Sequence, residues 1–273
     1  MDVAHPIFRQ PIHIQIPWQS TPTPAHYAKV NLAPQELKTW QVNDSPSLEP
    51  GLVADPYGFE DSPDCERISG GLNSKSPDAM ALARQGNWFL WGFSSAPNTM
   101  TRTARMTFVN TIVYMKQFRG KRPLIHNPCL ARQWALKLAT TFSKSPVGAT
   151  AQARRTFAES VLKEADFDLD RLRDLIRSDS DYIRQVDGMF MIDTDARELR
   201  IANNNLELLD KCVSMLETGD RSDLAARLLQ KYVSSGPATG GSPGDWRAWL
   251  SSVRNRLYFS DRGGYRYIVR SDQ

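Results

Sequence analysis

Between Ala79 and Ala158 the chain contains no aspartate and no glutamate, although that stretch carries twelve lysines and arginines. Residues 1–78 hold five basic and ten acidic side chains, and residues 159–273 hold seventeen and twenty, so a basic middle lies between acidic flanks and the net charge is +4. Two readings follow. The segments neutralise one another after folding, or the middle meets an anionic partner such as a phosphorylated ligand, nucleic acid or an acidic protein.

Other absences narrow the function classes. No run of about 18 or more apolar residues occurs, so no helix is expected to span a membrane. The opening "MDVAHPIFRQP" lacks a basic and then apolar leader, so a cytoplasmic location is the default expectation, with export implied only for a truncated start. Three cysteines, Cys65, Cys129 and Cys212, are odd in number and widely spaced, which argues against a disulfide framework. His126 and Cys129 are accompanied by no C-x-x-C and no second histidine pair, too few ligands for zinc. There is no G-x-S-x-G elbow, no helix-turn-helix signature, no zinc finger and no RNP-like motif. No catalytic residue, metal ligand or cofactor is therefore assigned.

What is present is enough to build a core. The chain has 273 residues, 41% of them apolar, with seven tryptophans, which suits one large domain or two modest ones. "PIHIQIPW" alternates Ile12, Ile14 and Ile16 with His13 and Gln15, the period of a half-buried strand. Prolines 17, 22, 24 and 34 then break the chain into loop. "LKTWQV" reads as a second short strand, and "AMALARQGNWFLWGF" as two strands joined around Gln85-Gly86-Asn87. "WFLWGF" reads as a buried central strand rather than a stacking platform. In "TRTARMTFVNTIVYMKQF" a helical stripe runs through Ala104, Phe108, Val109, Ile112 and Val113 to Met115 or Lys116, capped by Thr99 or Thr101.

From Leu130 onward the pattern is mainly helical. Leu130, Trp134, Leu138 and Phe142 form one stripe; Ala153, Phe157, Val161 and Leu162 continue it through residues 149–165; Leu169, Leu172 and Ile176 mark a third helix. "DFDLD" lacks the glycine and the closing glutamate of a calcium loop and fits helix capping instead; "DTDARE" fails the calcium pattern similarly. "GMFMIDTDARELRI" holds a short strand before a turn. "NNLELLDKCVSMLETG" and "RSDLAARLLQKYV" read as a helix pair, the first ended by Gly219. The Gly/Ser/Pro-rich residues 234–244 precede a helix in "DWRAWLSSVRNRL" and a hairpin turning at Arg262-Gly263-Gly264. The fold class expected is α+β: a β-rich module over 1–128, a helical module over 129–233, a linker over 234–244, and a helix plus hairpin over 245–273.

Two loops draw attention as ligand-facing. "VADPYGFEDSPDCE" gathers Asp55, Glu60, Asp61, Asp64 and Glu66 around Tyr57 and Phe59, a set suited to a hard cation or a stacked sugar, or to an acidic surface turn. "ISGGLNSKS" shares the vocabulary of a phosphate loop, but Lys75 stands where its second glycine belongs and a strand rather than a helix follows. Asn73 and Lys75 are then expected on the rim of a site rather than in a phosphate cradle, and whether residues 55–76 line a pocket with His5, His13 or His26 is the structural test of that site. The candidate anion-binding residues are Arg102, Arg105, Arg119, Lys121 and Arg122, clustered at the two ends of the first long helix. The partners left open are a protein or another anion; a membrane is not expected, and nucleic acid is disfavoured.

The stretch "ARQGNWFLWGFSSAPNTMTRTARMTFVNTIVYM" resembles the closing strand, loop and helix of the ThuA-like, class I glutamine amidotransferase-like fold. There the helix ends in an asparagine followed by an aromatic residue, here Asn110 and Tyr114. "HPIF" at 5–8 is similar to a His-Pro segment in the later half of such domains, so the resemblance covers about residues 5–118. It implies the tail of that fold with no matching catalytic cysteine, joined to a helical region. "DPYGFEDSPD", "GGLNSK", "FLWGF" and the ending "FSDRGGYRY" also resemble bacterial proteins without an assigned activity. The leading expectation is a non-catalytic binding or scaffolding module. The alternatives are an amidotransferase-like enzyme for a carbohydrate-related substrate, completed by parts outside this chain, and polyanion or nucleic-acid binding through residues 79–158.

Overall fold

The computed structural model describes residues 1–24, 34–44, 53–71, 79–93, 96–126, 129–237 and 241–270. The protein is α+β, and its contacts divide it into two compact units. The first comprises Met1–Pro56 and Asp64–Pro123; the second comprises Tyr57–Pro63 and the chain from Leu124 onward.

In the first unit, β1 (Gln19–Pro22) pairs antiparallel with β2 (Glu36–Thr39). The proline-bounded segment expected as loop thus supplies a strand, and Pro22 sits at its end, where a missing N–H is tolerated. A second sheet runs β3 (Cys65–Gly70), β4 (Met80–Gln85), β5 (Trp88–Trp91), all antiparallel. β4 is the central strand and is buried along most of its length, whereas β5 lies on the edge with Trp88 72% exposed. "WFLWGF" is therefore not the central strand; "MALARQ" is. β3 occupies residues read from the sequence as loop, because its period is broken by register shifts between Arg67 and Gly70.

The β4–β5 turn depends on Gly86, whose φ is +53° and where a Cβ would lie 2.6 Å from the Pro123 nitrogen. Ile12, Ile14 and Ile16 alternate with exposed His13 and Gln15 as expected, yet residues 12–16 join no ladder among the described residues. α1 (Arg102–Met115) completes the unit, with the Thr101 hydroxyl accepting from the Ala104 N–H at its start. The core consists of Ile7, Phe8, Ile68 and Leu82 with Trp40, Phe89 and Trp91, beside Val42, Met100 and Ala104 with Phe93 and Phe108.

The second unit opens with α2 (Arg132–Lys144), α3 (Ala149–Thr156), α4 (Glu159–Glu164) and α5 (Leu169–Ser178). The pattern over 149–165 is two helices rather than one, because Phe157 leaves the helix to bridge Phe190. Asp168 caps α5 through the Arg171 N–H at 2.8 Å, the role its sequence context predicts. A hairpin of β6 (Ile183–Val186) and β7 (Met189–Ile192) follows, then α6 (Thr194–Leu199), α7 (Glu207–Thr218), α8 (Ser222–Tyr232) and α9 (Pro243–Val253). β8 (Leu257–Ser260) and β9 (Arg266–Val269) form the last hairpin. Gly219, at φ +74°, ends α7.

One apolar cluster in this unit centres on Ala135, Phe142, Phe157, Leu172 and Phe190, and another on Leu209, Cys212, Leu228, Tyr232 and Tyr267. Part of the Gly/Ser/Pro segment is tied into this packing: a Cβ on Gly236 would meet the Trp246 ring at 2.7 Å. Residues 238–240 lie outside the described residues.

Candidate functional site

The geometry that matters most in the first unit is the rotation of α1 about its own axis. Its buried side chains are Ala104, Thr107, Asn110 and Thr111, a largely polar set. Burial of these groups is tolerable because each is satisfied. Thr107 donates to the Thr103 carbonyl and Thr111 to the Thr107 carbonyl, both at 2.9 Å. Asn110, fully buried, donates to the carbonyls of Ile7 at 3.0 Å and Ile12 at 2.7 Å and accepts from the Ile12 N–H at 3.0 Å. The Asn110 side chain thus does for the extended N-terminal segment what a neighbouring strand would do.

One turn later on the same face, the Tyr114 hydroxyl donates to Glu66 Oε2 at 2.7 Å and lies 3.0 Å from Oε1. Glu66, on β3, also accepts from Arg84 Nε at 2.7 Å and faces His5 Nε2 at 3.4 Å. The other ring nitrogen of His5 accepts from the Ile7 N–H at 3.4 Å, so Nε2 is the nitrogen that carries the proton toward Glu66. The Arg84 guanidinium donates to the Gly86 carbonyl and lies 3.9 Å over the Phe118 ring. Partial burial opposes the charge on Glu66, but the donors from His5, Arg84 and Tyr114 outweigh it and lower its pKa from 4.5 to about 2. Burial first, and the Glu66 charge with it, pushes the Tyr114 phenol well above its ordinary range.

With that face turned inward, the aliphatic residues of α1 point out. Val109 is 46% exposed, Ile112 53% and Val113 41%. The sequence stripe placed all three in the core. The structure reverses this, because the specific hydrogen bonds of Asn110 and Tyr114 set the rotation, and a helix turned by half a revolution would leave the carbonyls of Ile7 and Ile12 and the Glu66 carboxylate without these donors. Around the aliphatic residues lie cations: Arg102 and Arg105 in the first turn, and Lys116, Arg119, Lys121 and Arg122 at and beyond the end. Among the described residues none of these six is in an ion pair. Of the twelve cations between Ala79 and Ala158, carboxylate partners are found for Arg84 and Arg132. Among the described residues His5 also faces Glu66, and a further set of ion pairs falls within residues 159–254, where acids and bases alternate along the chain.

The acidic-aromatic loop is divided. Asp55 and Asp64 belong to the first unit; Tyr57, Glu60 and Asp61 belong to the second. The Asp64 carbonyl accepts from the Gly86 N–H at 3.1 Å. Tyr57 packs edge-on against Trp134, with ring centroids 5.9 Å apart, and its carbonyl accepts from Arg262. Glu60 is exposed. Asp61 is exposed as well, and local burial of its carboxyl, then the charge of Asp261, push its pKa up. Asn73, Lys75 and His26 lie outside the described residues. His13 is exposed, and His5 is the histidine that meets this stretch, through Glu66. Among the described residues no three His, Cys, Asp or Glu side chains are grouped to hold a metal ion, and no helix is long and apolar enough to cross a membrane.

The second unit contains its own buried ion pair. Asp261 accepts from the Arg132 backbone N–H at 2.8 Å, capping α2, and from the Arg132 guanidinium at 2.8 to 3.2 Å. Arg132 also donates to Asn203, which in turn donates to the Ile183 carbonyl. This network ties the last hairpin to α2 and β6, a structural role. Cys129 beside it is raised by burial and by Asp261, the opposite of nucleophile activation.

No family model, no curated protein and no solved structure matches the chain.

Proposed function

We propose that this protein is a non-catalytic binding module whose working surface is the outward face of α1 together with the basic segment that follows it, and that its partner is anionic. The observation that carries this reading is the set of six cations, Arg102, Arg105, Lys116, Arg119, Lys121 and Arg122, without carboxylate partners around exposed aliphatic side chains. Single-sign fields of this kind repel themselves and are relieved by an anion. The polar groups gathered on the inward face of the same helix support a binding rather than a catalytic role. Glu66 is held ionised by three donors, and Tyr114 is held protonated, so neither exchanges a proton near neutral pH.

Retention on immobilised heparin tests this reading. Wild-type protein is expected to bind and to elute as salt rises, because each neutralised anion releases counterions. Neutralising Arg119, Lys121 and Arg122 to glutamine, or Arg102, Arg105 and Lys116, is expected to shift elution to lower salt. A control that removes the ion-paired Arg221, Arg247 and Arg254 is expected to leave it unchanged. Retention independent of salt, or equal in all variants, would overturn the reading.

A further inference from the structure

The exposed residues of α1 are spaced as a helix-packing seam. Arg102, Arg105, Val109, Ile112 and Lys116 follow one another at intervals of three, four, three and four, all exposed, with Val113 beside them. That alternation is the a/d repeat by which one helix receives another. The seam is aliphatic in the middle and cationic at both ends, and it is presented by a helix whose opposite face is already fixed by Asn110 and Tyr114.

Resting on the anionic-partner reading above, we propose that the occupant of this seam is an amphipathic helix of a partner protein, with aliphatic residues at its centre and acidic residues at both ends. Charge decides against a second copy of this chain. A parallel pairing of two α1 helices sets Arg102 and Arg105 against themselves, and an antiparallel one sets them against Lys116 and Arg119, with no carboxylate anywhere from Ala79 to Ala158 to intervene. Nucleic acid fits poorly, since the centre of the seam offers Val109, Ile112 and Val113, which carry no hydrogen-bonding side-chain group, and such interfaces are more polar than those between proteins. A lipid surface is favoured by broad faces of bulky apolar side chains, whereas this seam is narrow and β-branched. The fourteen residues of α1 span roughly 21 Å, so the contact is small and the complex is expected to be transient.

The test uses the full chain and a synthetic helical peptide of about three heptads, with leucine at the central a and d positions and glutamate at the outer ones. Two controls accompany it, a scrambled peptide of the same composition and a version with lysine in place of the glutamates. Fluorescence anisotropy of the labelled peptides is expected to show binding of the glutamate-ended peptide only, weakened by added salt. Ile112→Asp is expected to weaken it about tenfold or more, a fold-change of at least ~1.4 kcal/mol. Arg102→Glu combined with Arg105→Glu is expected to weaken it as well, and to create binding of the lysine-ended peptide. These positions are exposed, so unchanged circular dichroism and unchanged melting of the variants confirm that they fold.

Equal binding of the scrambled peptide would overturn the helix proposal while leaving the anionic-partner reading intact. So would no binding of the designed peptide with heparin retention preserved. Uptake by phosphatidylglycerol vesicles that depends on Ile112, or a concentration-dependent dimer abolished by Ile112→Asp, would replace the helix with a bilayer or a second copy. Failure of both peptide and heparin would remove both readings.

Discussion

The Tyr114 hydroxyl donates to Glu66 Oε2 at 2.7 Å, linking the inward face of α1 to β3 across 48 residues of sequence. Glu66 is also the carboxylate on which Arg84 and His5 converge, so this contact is part of what holds the N-terminal segment, the central strand and the helix in one unit. Its folded-state pKa, about 2, lies below the ordinary 4.5. The stabilisation is therefore fully present above about pH 4.5 and is lost as pH falls toward 2. A difference of that size corresponds to at most about 3 kcal/mol, and about 1–2 kcal/mol once solvent screening is allowed for, since 32% of the side chain is exposed. Urea titrations at pH 6 and pH 3 are expected to show this loss in the wild type and a flatter pH dependence in Glu66→Gln, which is weaker at pH 6. An unchanged pH profile in Glu66→Gln would show that the stability lies elsewhere.

Asn110 and Ile112 are expected to respond to substitution in the reverse of their hydrophobicity. Asn110→Ala leaves two carbonyls and one N–H of the N-terminal segment without their partner and is expected to cost about 2–4 kcal/mol. Ile112→Ser, on the exposed face, is expected to fall within about 0.5 kcal/mol of wild type. Thermal melts of the two variants measure both, and a large loss for Ile112→Ser would mean that this face is packed.

Arg132 and Asp261 are a pair whose side chains are only 11% and 4% exposed. Removing one partner strands the other charge, so Asp261→Ala is expected to destabilise the second unit by about 3–5 kcal/mol. Replacing both by apolar residues is expected to recover much of that loss. Comparing the two single variants with the double variant by denaturant unfolding checks the sign of the coupling.

Cys212 is fully buried in α7, and burial pushes its thiol up to about 12. It is expected to resist a thiol-reactive probe in the native protein and to react only on unfolding, whereas Cys65 and Cys129, both half-buried, react earlier. Mass spectrometry of the labelled peptides at successive times distinguishes the three.

Much of the second unit was legible because its signals are local. Asp168 sits three residues before the N–H it caps, Gly219 ends α7 where a left-handed residue is needed, and the helix pair around it shows its stripe within single turns. The first unit was harder to read. β3 lacks a clean alternation because its register shifts, β1 is hidden between prolines, and the isoleucines of 12–16 carry a strand pattern without a strand partner among the described residues. The cationic ends of α1 could be picked out from charge alone. The Glu66 cluster could not, although an arginine within the apolar run "MALARQ" was a signal that a carboxylate had to meet it.

By itself the sequence determined that α1 exists, that Thr99 or Thr101 opens it, and that it carries cations at both ends with no acid nearby. Those properties come from short-range propensity, capping and composition. Only the tertiary structure decided which side of that helix is buried. Asn110 bonds to Ile7 and Ile12, 103 and 98 residues away, and no period in the sequence encodes a hydrogen bond over that distance. A polar face satisfied by distant carbonyls is turned inward, and the aliphatic face is left for a partner.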